Sequence, residues 1–153
     1  MIVSTLCYIE NDGKYLMLLR NKKPKDVNEG KWIGVGGRVE PGESPEECVC
    51  REVLEETGLT ITEYRMRGIL TFSSEGWEDE YIFVFTSGKF SGELKECDEG
   101  ELKWIDKGEI MNLNLWEGDR IFLKSILDDS PFFSMKLSYK GDDLTDHIEY
   151  YYE

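Results

Sequence analysis

Gly37-Arg38-Val39-Glu40-Pro41-Gly42-Glu43-Ser44-Pro45-Glu46-Glu47-Cys48-Val49-Cys50-Arg51-Glu52-Val53-Leu54-Glu55-Glu56-Thr57-Gly58-Leu59 decides the fold, because its punctuation specifies a loop and then a helix. Pro41-Gly42 breaks the chain, Ser44 is a capping residue, Pro45 suits the first helical position, and Glu47 completes a capping box with Ser44. Gly58 stops the helix. Val49, Cys50, Val53, Leu54 and Thr57 recur at helical spacing, which predicts one face given to a core. Glu52, Glu55 and Glu56 fall on the other face, where like charges three or four residues apart cost roughly 0.2–0.5 kcal/mol per pair. Arg51 answers part of that charge and can reach back to Glu43 in the loop. The remainder calls for a cation, and clustered carboxylate oxygens favour a hard ion, Mg²⁺ or Mn²⁺, over zinc.

The same stretch resembles the signature of the Nudix hydrolases: a glycine, a glutamate, then Arg-Glu-apolar-x-Glu-Glu-x-Gly-apolar at fixed spacing. Gly37, Glu43, Arg51, Glu52, Val53, Glu55, Glu56, Gly58 and Leu59 fill its positions. The resemblance implies an α+β fold, an α/β/α sandwich whose mixed central sheet has the signature helix on one side and a second helix on the other. It implies hydrolysis of a nucleoside diphosphate linked to another moiety, with Mg²⁺ as cofactor and Mn²⁺ as a substitute. Glu52 and Glu56 are then metal ligands, Glu55 is a metal ligand or the general base, and the Gly37 carbonyl joins the ligands. Glu52 also stands as an alternative base. Glu43, Arg51 and Gly58 are structural.

Working outward toward the N-terminus, Trp32-Ile33-Gly34-Val35-Gly36-Gly37 is a short apolar strand ending in glycines, which permit close backbone approach and unusual φ/ψ. Arg20, Lys22, Lys23 and Lys25 form a local basic patch that can face substrate phosphates, Lys23 in particular, whereas Lys25 reads as a solvated loop residue. Residues 2–9 and 15–19 are strands around Asn11-Asp12-Gly13, a hairpin signal. The apolar run Tyr15-Leu16-Met17-Leu18-Leu19 predicts a strand covered on both faces.

Toward the C-terminus, residues 61–72 and 80–86 read as strands around a polar turn, and Leu102-Lys103-Trp104-Ile105 as a shorter one. The acidic loop Glu96 to Glu101 precedes it. Family members often supply a further carboxylate from this loop, which points to Glu99, with Glu101 as second choice. A turn of helix over 107–111, a helix over 120–127 and a closing hairpin of 132–139 with 144–152 complete the chain. His147, the only histidine, reads as a solvent-facing strand residue without a catalytic part.

The length of 153 residues suits a single domain, 1–153. A net charge of -14 argues against docking a nucleic acid polymer, which relies on Lys and Arg at phosphates. Cys7, Cys48, Cys50 and Cys97 form no CxxC pair and read as reduced packing residues. No leader pattern and no run of about 20 apolar residues is present, so a cytoplasmic protein, monomer or homodimer, acting on a small nucleotide away from membranes is expected.

Over most of the chain the order of elements is similar to the MutT-type nucleotide-pool sanitisers within the family, which hydrolyse oxidised purine nucleoside triphosphates such as 8-oxo-dGTP. Gly30-Lys31-Trp32, Gly34 to Val39 with Arg38, Phe72, Asp98-Glu99, Trp104, Leu115-Trp116 and Asp119 carry the likeness. It implies that Trp116 stacks on the purine, Phe72 lines the pocket, Asp119 bonds the base edge, and Lys23 and Arg38 contact substrate. Ile33 and Gly118 depart from it, standing where the animal enzymes have an asparagine and a second aspartate. Rival readings are a hydrolase of ADP-ribose, a nucleotide sugar, a dinucleoside polyphosphate or a capped RNA end, and a regulatory nucleotide-binding module without catalysis.

Overall fold

In the computed structural model, which describes residues 1–153, strand β1 (Ile2–Asn11) turns at Asp12-Gly13 into β2 (Lys14–Arg20). Both turn residues have positive φ, 53° and 75°, as a two-residue hairpin turn demands. After a loop come β3 (Trp32–Ile33), helix α1 (Pro45–Thr57), β4 (Thr60–Ser74) and β5 (Glu80–Ser91). β6 (Gly100–Asp106), a 3₁₀ turn (Lys107–Asn112), helix α2 (Glu117–Leu127), β7 (Phe132–Lys140) and β8 (Asp143–Tyr152) follow.

The strands join in the order β3-β2-β1-β5-β4-β7-β8, with β6 also paired to β2. β1 runs parallel to β5 and β4 parallel to β7, while β4–β5, β7–β8 and β2–β6 are antiparallel, so the sheet is mixed as expected. Alternation along β2 distributes its side chains to two cores: Tyr15 and Met17 join the cluster under α2, and Leu16 and Leu18 the cluster under α1. Both faces are therefore covered, with Val49 and Val53 of α1 on one side and Phe122, Leu123 and Ile126 of α2 on the other.

Helix α1 starts and stops where its signals place it. The Ser44 hydroxyl accepts from the Glu47 N–H at 3.0 Å, the Glu47 carboxylate accepts from the Ser44 N–H at 2.9 Å, and Gly58 adopts φ 81° at the C-terminus. Its buried face is shifted from the expected one. Cys48, Val49, Val53 and Thr57 are buried, whereas Leu54 is 49% exposed and Cys50 half-buried. A neighbour of Val53 is rotated about 100° from it, and that rotation carries Leu54 out of the sheet contact. All four cysteines are free, and His147 lies on β8 with its Nδ1 3.3 Å from Glu149. No helix is long and apolar enough to cross a membrane.

Candidate active site

The glycine segment after β3 lies against β1. Cys7 and Val35 exchange backbone hydrogen bonds at 2.6 and 3.1 Å, and the Gly37 carbonyl accepts from the Thr5 N–H at 2.8 Å. Close approach is what its glycines provide, since none of Gly34, Gly36 and Gly37 takes a positive φ. At Gly37 a Cβ would stand 2.4 Å from the Glu52 carboxyl carbon. The bare backbone at 37 thus makes room for the first glutamate of α1.

Arg51 organises the ridge. Its Nε and Nη2 donate to the two Glu43 oxygens at 2.6 and 3.0 Å, and its Nη1 reaches Glu52 at 2.8 Å and Glu55 at 3.2 Å. The two-pronged bond with Arg51, aided by the Glu40 N–H, holds the Glu43 carboxyl down at about 2, and the bonds to Glu43 and Glu52 raise Arg51. Gly58 carries the helix stop, so Glu43, Arg51 and Gly58 all hold structure.

The three glutamates do not stand alike. Glu56 turns inward and accepts from the Gly36 N–H at 3.3 Å. Burial pushes its pKa up to about 8, with the charges of Glu99 and Glu52 adding to the rise. Glu52 is largely covered, while the Glu55 side chain is 59% exposed and faces solvent. Glu99 approaches from the loop before β6 and pairs with Arg20 at 3.1 Å and Lys23 at 3.2 Å, whereas Glu101 bonds Asn21 on the surface at 3.2 Å. Glu99 is the loop acid that the fold brings toward Glu56, and Glu101 is not.

In this arrangement no three acidic, histidine or cysteine side chains close around one point. The donor set nevertheless suits a hard cation: Glu52, Glu56 and Glu99 are all oxygen donors, their mutual repulsion already marks Glu56, and the bare Gly37 backbone borders Glu52. The basic patch is partly engaged elsewhere. Arg20 bonds Asp26 at 2.6 Å, Lys22 donates to the Cys97 carbonyl at 2.8 Å, Lys23 pairs with Glu99 at 3.2 Å, and Lys25 is exposed on the loop. Arg38 is exposed, and its carbonyl accepts from Arg51 at 3.1 Å.

A second group of residues gathers on the α2 side of the sheet. Phe72 of β4 and Trp116, at the start of α2, both pack on Tyr139 of β7, with ring centroids 5.1 and 5.9 Å away. The Trp116 Nε1–H donates to Asn28 at 2.9 Å, and the Lys31 ammonium lies 4.8 Å from the ring centroid. Asp119 follows on the first turn of α2. Burial raises its pKa to about 7 against the opposing charge of Lys31, and its carboxylate makes no hydrogen bond or ion pair within the protein. The Tyr8 hydroxyl is buried without a partner on the same side of the sheet. Ile33 faces the other way, into the α1 cluster, because adjacent strand residues alternate and Trp32 takes the α2 side.

Tyr8, Asn28 and Tyr139 escaped the sequence reading, and Lys31 entered it only within the Gly30-Lys31-Trp32 likeness, without a role. Apolar periodicity marks Tyr8 and Tyr139 only as strand residues, and nothing local announces Asn28 or Lys31. A groove of about 770 Å³ between α2 and β8, lined by Met111, Lys124 and Tyr151 among others, is away from both groups.

A mixed sheet clamped between two helices thus carries arginine-anchored glutamates on one face and an aromatic group with an unbonded carboxylate on the other. The chain belongs to the Nudix hydrolases: the NUDIX domain matches residues 2–126. It is 34% identical over 120 residues to the uncharacterised Nudix hydrolase YvcI of Bacillus subtilis, spanning 75% of this chain and 72% of that one. It is 30% identical over 142 residues to the oxidized purine nucleoside triphosphate hydrolase of Danio rerio, spanning 92% of this chain and 88% of that one. The crystal structure of the MutT protein from Bacillus halodurans superposes with a TM-score of 0.87 at 30% identity, covering 97% of each chain. Enzymes of this family use divalent metal cations.

Proposed function

We propose that the chain is a Mg²⁺-dependent hydrolase of nucleoside triphosphates, with an oxidised purine such as 8-oxo-dGTP as the preferred substrate and the monophosphate and pyrophosphate as products. The observation that carries this reading is the unbonded Asp119 carboxylate near Tyr139, the ring on which Trp116 and Phe72 pack, an aromatic platform with a hydrogen-bonding group left for a base edge. The likeness to the Danio rerio enzyme supports it. Residues 1–153 then act as one domain, because β7 and β8, beyond the family match, complete the core beneath α2.

Glu52, Glu56 and Glu99 would hold the cation, with Mn²⁺ able to replace Mg²⁺; the Gly37 carbonyl adds its second lone pair. Bound there, the cation supplies charge neutralisation for the polyphosphate and acidifies water. Lys23 and Arg38 bring positive charge to the outer phosphates. Glu55, exposed and held at one oxygen by Arg51, accepts the proton of the attacking water, with Glu52 as the alternative acceptor. One phosphoanhydride P–O bond breaks as the new P–O bond to water forms, and the pyrophosphate leaves. Trp116 stacks on the base with the ring face not covered by Lys31, Phe72 forms a side wall, and Asp119 reads the edge. Gly118 and Ile33 contribute no polar contact, so fewer groups read the base than in the animal enzymes.

The discriminating measurement is release of pyrophosphate, phosphate and monophosphate from a panel of 8-oxo-dGTP, dGTP, ADP-ribose, a nucleotide sugar and a dinucleoside polyphosphate, with Mg²⁺ and with Mn²⁺. The expected outcome is the highest kcat/KM on the oxidised purine triphosphate, with pyrophosphate as product. Preference for ADP-ribose or a nucleotide sugar would replace the substrate assignment while leaving the chemistry. Nucleotide binding with no turnover in either metal would make the protein a regulatory module.

A further inference from the structure

Helix α2 carries both Trp116 and Asp119, yet its own sequence provides no cap. Trp116 occupies the capping position, and no side-chain hydrogen bond from it satisfies the first turn. The first N–H groups of a helix have no partner inside the helix and need an acceptor from elsewhere. Tyr139 provides one from β7, 21 residues on: its hydroxyl oxygen accepts from the Gly118 N–H at 2.7 Å in a buried position. The same ring touches Phe72 and Trp116.

Position 118 is matched to this contact. A Cβ there would stand 2.6 Å from the Tyr139 hydroxyl and 2.9 Å from a Leu137 methyl. A side chain at 118 and a tyrosine at 139 therefore exclude each other. The missing acid at Gly118, which departs from the animal enzymes, has a reason in the molecule itself. Tyr139 also lies beyond the NUDIX match, which ends at residue 126.

We propose that Tyr139 is the positioning residue of the base pocket, capping α2 through Gly118 so that Trp116 and Asp119 stand at fixed places against a purine. The proposal rests on the nucleotide reading above. Burial keeps the Tyr139 phenol neutral by pushing its pKa up to about 12, so the cap persists across the working pH range. Removing the hydroxyl alone strands a buried N–H and loosens the helix start, while the carboxylates on α1, across the sheet, are untouched.

The test uses the full chain with Mg²⁺ and steady-state hydrolysis of 8-oxo-dGTP and dGTP by wild type, Tyr139→Phe, Gly118→Ala and the double variant. Tyr139→Phe is expected to raise KM for the preferred triphosphate about 5–20-fold with kcat within twofold, and to narrow the selectivity between the two substrates. That range lies in the lower part of what one stranded buried donor costs. Gly118→Ala is expected to do the same by displacing the hydroxyl, and the double variant to lose clearly less than the two single losses combined, because the clash with the hydroxyl has gone and only the contact with the Leu137 methyl remains. A Tyr139→Phe enzyme with unchanged KM and selectivity would overturn the proposal, as would one that loses only kcat, the pattern of a smaller folded fraction. Additive losses in the double variant would also overturn it. Wild-type protein inert toward every triphosphate would instead sink the functional reading, and the base-binding role with it.

Discussion

Glu56 illustrates how burial and repulsion mark one glutamate among several. It lies inward of Glu52 and Glu55, accepts the Gly36 N–H, and has the charges of Glu99 and Glu52 beside it. Glu56→Gln keeps the shape and the hydrogen-bond acceptor but removes the charge that would hold a cation. Turnover is expected to fall at least about 100-fold, with the far-ultraviolet circular dichroism unchanged; activity near wild type would remove Glu56 from the site. Asp119 makes a different prediction. Its folded-state pKa, about 7, lies above the ordinary carboxyl value of 3.8, so the folded protein holds an extra proton between those values. Stability from this group is then fully present below about pH 4 and is lost as the pH rises to about 7. Asp119→Asn should gain Tm over wild type progressively from pH 4 to pH 7, by roughly 2–4 °C for each kcal/mol at this chain length. A Tm difference that stays flat across that range would mean the carboxyl is not desolvated.

At the scale of elements, helix α1 was the most legible part of the chain because its start, stop and charged face are all encoded locally. Ser44, Pro45, Glu47 and Gly58 each act through groups within a few residues. Leu54 was misread because periodicity alone leaves the edge of a helix face uncertain by one residue. The acidic group was legible for the same local reason, whereas its partner elements were less so. Glu99 depends on where a loop before β6 lands, and Tyr139 on β7 pairing in parallel with β4, a contact no neighbouring residue specifies. The junction of the glycine segment and α1 gives a direct test: Gly37→Ala places a methyl against the Glu52 carboxyl, 2.4 Å from its carbon. Loss of most activity is expected with the thermal transition nearly intact, since Glu52 can swing outward. Full activity would show that Glu52 has more freedom than the close contact allows.

For the molecule as a whole, the two cores are not equally local. The cluster under α2 draws Phe133, Met135, Leu137 and Tyr139 from β7 and Leu70 from β4. Phe133 is fully buried, and its ring fills the space above Gly68 of β4, where a Cβ would meet it at 2.3 Å. Phe133→Ala is expected to cost about 3–5 kcal/mol, read as the shift in the urea midpoint at constant slope; a loss below about 1 kcal/mol would mean the hairpin is an ornament rather than part of the core. The fold class and the helix on each side of the sheet came with the family resemblance, whereas the extent of α1 and the two hairpins followed from apolar patterns and turn residues; α2 starts at Glu117, three residues before the expected 120, because Gly118 reads locally as a loop residue. The sheet order did not follow from such patterns, because it is fixed by pairings between distant strands.

The two parallel pairings have a consequence for how the chain comes into being. β1 pairs with β5 from Ile2 opposite Glu80, and β4 with β7 from Gly68 opposite Phe133, so each parallel partner arrives only after a long stretch of intervening chain. Such distant pairings raise the contact order, which slows folding into the millisecond-to-second regime. On the ribosome the emerging chain would hold one edge of β1 open until β5 has emerged and one edge of β4 open until β7 has, so the aromatic group around Tyr139 would assemble after the glutamate ridge of α1.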